Sequence, residues 1–190
     1  MKCLVTGGAG FIGSHVVERL LTEGHEVTIL DNLSTGTHKN LEGLVDNKKC
    51  WFHNINIAGR GALEPSFRGI DWVFHLAGKA DIVPSIQNPE EYFNTNTLGT
   101  MRVMEACRKA EVKKVIYAAS SSCYGDPPET PTDEGGEINL IHPYALTKYL
   151  GEEVVLHWGL LYKIPVMSLR LFNVYGPRSR TSGAYGAVFG

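Results

Sequence analysis

Tyr144 and Lys148 stand four residues apart at the start of a helix predicted over 143–162. That spacing puts both side chains on one helical face. An ammonium beside a phenol favours the phenolate, lowering a pKa that is ~10 in isolation. Such a phenol suits a general base for an alcohol proton near neutral pH. Among the eight tyrosines only Tyr144 has a lysine four residues on, but chance supplies such pairs often enough that the pair alone is weak evidence. Ser120-Ser121-Ser122 adds what the pair lacks. The run begins where the fifth predicted strand ends, so a hydroxyl there could bind the reacting oxygen and orient the phenol. Serine runs after strands are also ordinary loop. The weight lies in the conjunction.

A second motif sits near the start. Gly8-Ala9-Gly10-Phe11-Ile12-Gly13, preceded by Gly7, is G-x-G-x-x-G. It follows a predicted strand and opens an amphipathic helix, the context in which glycines let the backbone approach a pyrophosphate at a helix N-terminus. Asp31 ends the next strand, 18 positions after Gly13, where a carboxylate accepts hydrogen bonds from a ribose diol. The same charge repels a 2′-phosphate, so NAD is favoured over NADP. The bland alternative is a glycine turn beside a surface aspartate. The joint presence of strand, helix and acid argues against it.

These residues need elements to hold them, and the chain alternates. Strands are predicted at Lys2–Thr6, Glu26–Leu30, Cys50–Asn54, Asp71–Leu76, Lys114–Ala119 and Val166–Leu171. Helices are predicted at Phe11–Glu23, from about Pro89 to Ala110 and at Pro143–Tyr162, the second with Phe93, Met101, Met104 and Cys107 toward the core. A polar loop with one helical turn fills 32–48. This alternation means βαβ units and an α/β fold, a Rossmann-type doubly wound parallel sheet covered on both faces. Ligands then bind beyond the carboxyl ends of the strands. The long loop Cys123–His142, with Pro127, Pro128, Pro131 and Gly135-Gly136, has the length of a lid.

Composition narrows the function classes. The 190 residues are 43% apolar and 20% charged, with a formal charge of −2, enough for a buried core and too mixed for disorder. Basic residues are scattered, which argues against nucleic acid. No run of about 18 apolar residues spans a membrane, and the apolar stretch at the start is too short for a signal peptide. Cys3, Cys50, Cys107 and Cys123 form no C-x-x-C and the seven histidines no H-x-x-x-H, so no metal is expected. Reduced thiols without an export signal suggest the cytoplasm.

Five stretches carry a family resemblance. They are Thr6–Gly13, Asp31–Gly36, Ser120–Gly125, Pro143–Lys148 and Arg170–Pro177 (Arg-Leu-Phe-Asn-Val-Tyr-Gly-Pro). In order and spacing they resemble the extended short-chain dehydrogenase/reductases and, within them, the NAD-dependent epimerase/dehydratase family of the UDP-glucose 4-epimerase type. The resemblance implies that Tyr144 takes a proton from a sugar hydroxyl while hydride passes to NAD⁺, with Lys148 on the cofactor ribose. Ser120 is the matching hydroxyl and Ser121 the alternative, with Ser122 and Asn173 also toward substrate. Cofactor contacts are implied for Gly7, Gly10, Phe11, Ile12, Gly13, Asp31, Asn32, Ser34, Thr35, Gly36, Asn54, Ile55, Leu76, Ala77, Gly78, Asn96, Tyr144, Lys148 and Phe172.

Related dehydratases carry an Asp-Glu pair where this chain has Ser121-Ser122, which argues against 4,6-dehydration. The decarboxylases' glutamate in this stretch is also absent. Asn54 stands where relatives have an aspartate at the adenine. Lys79 reads either as a ligand of substrate phosphate or as a solvated loop lysine, with the second favoured. A nucleotide-sugar substrate, UDP-linked, and a homodimer through the helices at 89–110 and 143–162 are implied. Residues 1–173 read as the cofactor domain. Residues 174–190 read as the start of a largely missing substrate domain, with Ser182–Gly190 opening its first helix. Two classes of function stay open: an epimerase, with another nucleotide-sugar oxidoreductase or dehydratase of the same family behind it, or an NAD-binding module or fragment without turnover. The expectation is that the 190 residues bind NAD and turn over UDP-sugars poorly or not at all.

Overall fold

The computed structural model describes residues 1–128 and 130–179. Six strands form one parallel sheet: β1 Lys2–Thr6, β2 Glu26–Asp31, β3 Cys50–Asn54, β4 Trp72–His75, β5 Lys114–Ser120 and β6 Val166–Leu171. Their order is β3-β2-β1-β4-β5-β6. The chain winds outward from β1 to β3, then restarts at β4 on the other side of β1. This reversal opens a crevice at the carboxyl ends of β1 and β4, where open α/β sheets bind ligands. The expected doubly wound fold is the observed one. The expected helical opening at Ser182–Gly190 lies outside the described residues.

Strand pleating divides the core. On one face Cys3, Val5, Val27 and Ile29 pack with Val17 and Leu20 of α1 (Phe11–Thr22) and with Leu41 from a 3₁₀ turn at His38–Leu41. On the other, Leu4, Val73, Val115 and Tyr117 meet Val103, Met104 and Cys107 of α5 (Gly99–Lys109) and Val155 of α6 (Pro143–Tyr162). Alternate residues of one strand thus serve opposite layers, which a sheet sandwiched between helices requires. All four cysteines are free and buried. Burial pushes the Cys50 thiol up to about 11 and Cys107 further, so both behave as apolar packing groups.

Two short helices, α2 (Glu64–Phe67) and α3 (Ile82–Gln87), lie between the expected elements. The helix expected from Pro89 to Ala110 is broken into α4 (Pro89–Tyr92), a π-helical stretch at Phe93–Leu98, and α5. A π turn holds about one residue more than an α turn, so it slips the inward phase by one position. Tyr92 therefore takes the buried site expected for Phe93, which is 38% exposed, while Met101 is half-buried beside the buried face of Thr100, Val103, Met104 and Cys107. Met104 and Cys107, beyond the slip, are buried as expected.

The sheet ends on a buried polar contact between its two central strands. Thr100 Oγ1 donates to the Asn96 carbonyl at 2.6 Å, so in its 2.9 Å contact with His75 Nε2 it accepts. Nδ1 of the neutral ring then accepts from Thr6 Oγ1 at 2.6 Å, and Thr6 Oγ1 accepts from the Ala77 amide at 3.2 Å. Only one tautomer satisfies this chain. Burial, aided by the Lys148 charge, pushes the His75 pKa down to about 3. As pH falls below the ordinary histidine value of 6.5, the unfolded chain takes up a proton that the folded chain refuses, so stability falls from there to about pH 3. In His75→Gln, denaturant unfolding between about pH 6 and 4 will show a slope lower by up to one proton, ~1.4 kcal/mol per pH unit. An unchanged slope would show that the ring charges inside the fold.

Candidate active site

The glycine motif turns where its backbone is crowded. Gly7 has φ +70°, and a Cβ there would lie 2.7 Å from the Ala77 nitrogen. A Cβ on Gly13 would lie 2.1 Å from the Gly7 carbonyl oxygen, so α1 can start this close to the turn only without side chains. Asp31 fastens the turn: Oδ2 accepts from the Ala9 amide at 3.0 Å and Oδ1 from the Leu33 amide at 2.7 Å. The Ala9 carbonyl accepts from the Thr37 amide and from Asn40 Nδ2. No side chain caps α1 at Gly10. Its first-turn amides, at Phe11, Ile12 and Gly13, belong to residues that line the cleft, the arrangement that receives an anion.

Two joined cavities of about 1120 and 850 Å³ run along the sheet's carboxyl edge. The larger is lined by Gly7, Gly10, Phe11, Ile12, Gly13, Asp31, Asn32, Ser34, Thr35, Ile55, Leu76, Ala77 and Gly78. The smaller shares Gly10, Phe11, Ile12, Thr35, Leu76 and Gly78 with it and adds Ser120, Ser121, Ser122, Tyr144, Lys148, Phe172 and Asn173. The dimensions and the glycine cradle fit a dinucleotide along the first cavity with its reactive end at the second.

Three expected cofactor residues lie off the lining. Gly36 packs onto Ala9, where a Cβ would come within 2.7 Å. Asn54 ends β3 in an exposed position, and Asn56, two residues on, lines the cavity instead. Asn96 is buried behind the wall: its Oδ1 accepts from the Lys79 amide, and its Nδ2 donates to the Lys79 carbonyl and to Thr147 Oγ1. It shapes the loop and holds α6 beside Lys148. Lys79 is not the solvated loop lysine expected; it lines both cavities. Its side chain is 19% exposed and pairs with Glu91 at 2.7 Å, joining two walls of the larger cavity.

At the end of β5 the reacting groups meet. The Tyr144 hydroxyl donates to Ser120 Oγ at 3.1 Å, and the Ser122 amide donates to the same oxygen at 3.2 Å. With two donors on its oxygen, the Ser120 hydroxyl keeps its own proton for a group in the cavity. Lys148 Nζ donates to the Ala118 carbonyl at 2.5 Å and lies 4.4 Å from the Tyr117 ring centroid. Burial pushes its pKa down to about 7, with the Glu152 carboxylate pulling the other way. The sequence pattern did not reveal Glu152, which is itself held by Ser168 and Arg170. Arg170 also donates to Tyr124 Oη and the Glu134 carbonyl, tying the long loop to β6.

The comparisons with known proteins agree with this geometry. Residues 3–189 match the model of the NAD dependent epimerase/dehydratase family, and the chain belongs to that family. It is 39% identical to a UDP-glucose 4-epimerase of Mycolicibacterium smegmatis, over 99% of this chain and 61% of the relative. The Thermus thermophilus UDP-glucose 4-epimerase, solved in complex with NAD, superposes with a TM-score of 0.89 at 38% identity, covering 98% of this chain and 60% of that one. A UDP-N-acetylglucosamine 4-epimerase from Methanobrevibacter ruminantium M1, in complex with UDP-N-acetylmuramic acid, gives 0.92 at 35% identity, with 98% and 59% covered. The chain thus spans about 60% of the length of these relatives.

The Lys148 environment has a measurable consequence. Between about pH 7 and 10.5 the unfolded chain holds a proton that the folded chain lacks, so this group raises stability as pH rises. Lys148→Met removes that dependence. Unfolding free energies near pH 7 and near pH 9 will therefore rise more in the wild type than in the variant. Parallel profiles would place the ammonium in a solvated site.

Proposed function

We propose that this chain forms the NAD-binding and catalytic part of a nucleotide-sugar 4-epimerase acting on a UDP-linked sugar. The hydrogen bond from Tyr144 to Ser120 Oγ, in the smaller of the two cavities, carries the reading. The glycine cradle and Asp31 support NAD as the cofactor, since a carboxylate there disfavours a 2′-phosphate. NAD, when bound, supplies the hydride acceptor and later the hydride donor at the sugar carbon.

The chain's own groups manage the proton. Ser120 donates to the reacting oxygen of the sugar and fixes it within reach of Tyr144. Tyr144, as phenolate, accepts the hydroxyl proton as the carbonyl forms, and returns it when the sugar is reduced on its other face. Lys148 lies one helical turn below and favours the phenolate electrostatically. Water removal needs an acid and a base immediately after Ser120, and Ser121 and Ser122 line the cavity there. The carboxylates bordering that cavity, Glu42 and Asp81, come from other loops. A homodimer is part of the proposal, supported by the apolar outer face of α6, where Leu156, Leu160 and Leu161 are exposed.

In the protein, Tyr144→Phe will lower kcat for UDP-glucose and UDP-galactose interconversion by about 10²–10⁴-fold while NAD affinity holds. Retained turnover in that variant would contradict the assignment. Calorimetric titration of the 190-residue chain will show NAD bound more tightly than NADP, with Asp31→Ala eroding the preference. Equal affinities in the unmutated chain would remove the role given to Asp31.

A further inference from the structure

A helix begins with amides that no preceding turn can satisfy, and its first turn frays unless outside groups accept from them. In α6 that first turn carries Tyr144. Two side chains serve it. Ser85, fully buried on α3, accepts from the Tyr144 amide through Oγ at 3.1 Å and donates to the Ile82 carbonyl at 2.5 Å, so its hydroxyl has one direction. His142, immediately ahead of the helix, accepts from the Ala145 amide through Nδ1 at 3.0 Å. Its ring lies parallel to that of Tyr144, 7° between planes and 5.9 Å between centroids. Nδ1 accepts only while unprotonated, and burial lowers the His142 pKa, which favours that form.

Neither residue lines the cavities. Lys148 sits a turn deeper, held by the Ala118 carbonyl and the Tyr117 ring. Those contacts are with β5, outside the first turn of α6. Loss of either cap therefore moves Tyr144 away from Ser120 and Lys148 and leaves the cofactor cradle in place. We propose that Ser85 and His142 are positioning residues for the reaction, fixing the first turn of α6 so that the Tyr144 phenol stays on Ser120 Oγ within the field of Lys148. The inference rests on the reading of Tyr144 as the base.

The test uses the protein with NAD bound and the variants Ser85→Ala, His142→Ala and His142→Asn. Asparagine restores an acceptor at the helix start, and so serves as the rescue. Three quantities are read: kcat, NAD affinity, and the Tyr144 titration midpoint from near-ultraviolet phenolate absorbance, with Tyr144→Phe as the blank. In both alanine variants the midpoint should climb toward ~10. Turnover should fall about tenfold, the equivalent of ~1.4 kcal/mol, with NAD affinity held within about twofold. His142→Asn should recover most of the loss.

An unchanged midpoint and kcat in both alanine variants would overturn the proposal even if their melting temperatures fell. So would NAD affinity falling by the same factor as kcat, since that marks collapse of the whole site. If UDP-sugars are not turned over by the wild type but the midpoint still climbs in Ser85→Ala, the epimerase reading fails and the positioning role stands.

Discussion

Where α1 starts, the backbone at Gly13 runs so near the Gly7 carbonyl that a Cβ would sit 2.1 Å from its oxygen. That approach sets the geometry of the whole cleft. It brings the first turn of α1 over the end of β1, and it brings Gly7 against Ala77 at the end of β4. The crevice left by the strand reversal is thereby lined with amides and lacks side-chain bulk. Asp31 holds the same turn from the second strand, so the acid suited to a ribose also fixes the cradle under a pyrophosphate.

Behind the cleft the protein tolerates buried polarity that a structural core would avoid. His75, Thr6, Thr100, Asn96 and Lys148 are all nearly inaccessible. Each uncharged member has an assigned hydrogen bond, which is the condition under which a buried network stabilises and orients its members. Lys148 is the costly one, because burial disfavours its ammonium. Near pH 7 part of the population keeps the ammonium, and a desolvated cation acts more strongly on a neighbouring phenol than a hydrated one.

Local signals were readable in the sequence. The bounds of β1 and β6 match the pattern-based ones because each is an apolar run with a marked end, and those of β3, a weaker run, and of α6 match as well. The cradle was readable because its glycine spacing follows backbone geometry, and the Ser120, Tyr144 and Lys148 group because the family resemblance marks those positions. The rest depends on partners distant in sequence. The helices α2 and α3 span 4 and 6 residues, too few to show a period, so the buried acceptor Ser85 could not be seen. The π turn at Phe93–Leu98 carries no residue signature of its own and moved the inward phase by one. His75 looked like one polar residue in a strand, since Thr100, its donor-side partner, is 25 positions away. Lys79 looked solvated because Glu91 belongs to the next helix but one.

The central claim is that Tyr144 and Ser120 manage the proton while the hydride leaves a sugar carbon and returns to it within one active site. UDP-glucose deuterated at the epimerised carbon, incubated with the protein and NAD, tests this directly. The account predicts UDP-galactose that keeps its deuterium at that carbon, with no net reduced cofactor released. Loss of the label to solvent would mean proton abstraction from carbon and would contradict the account.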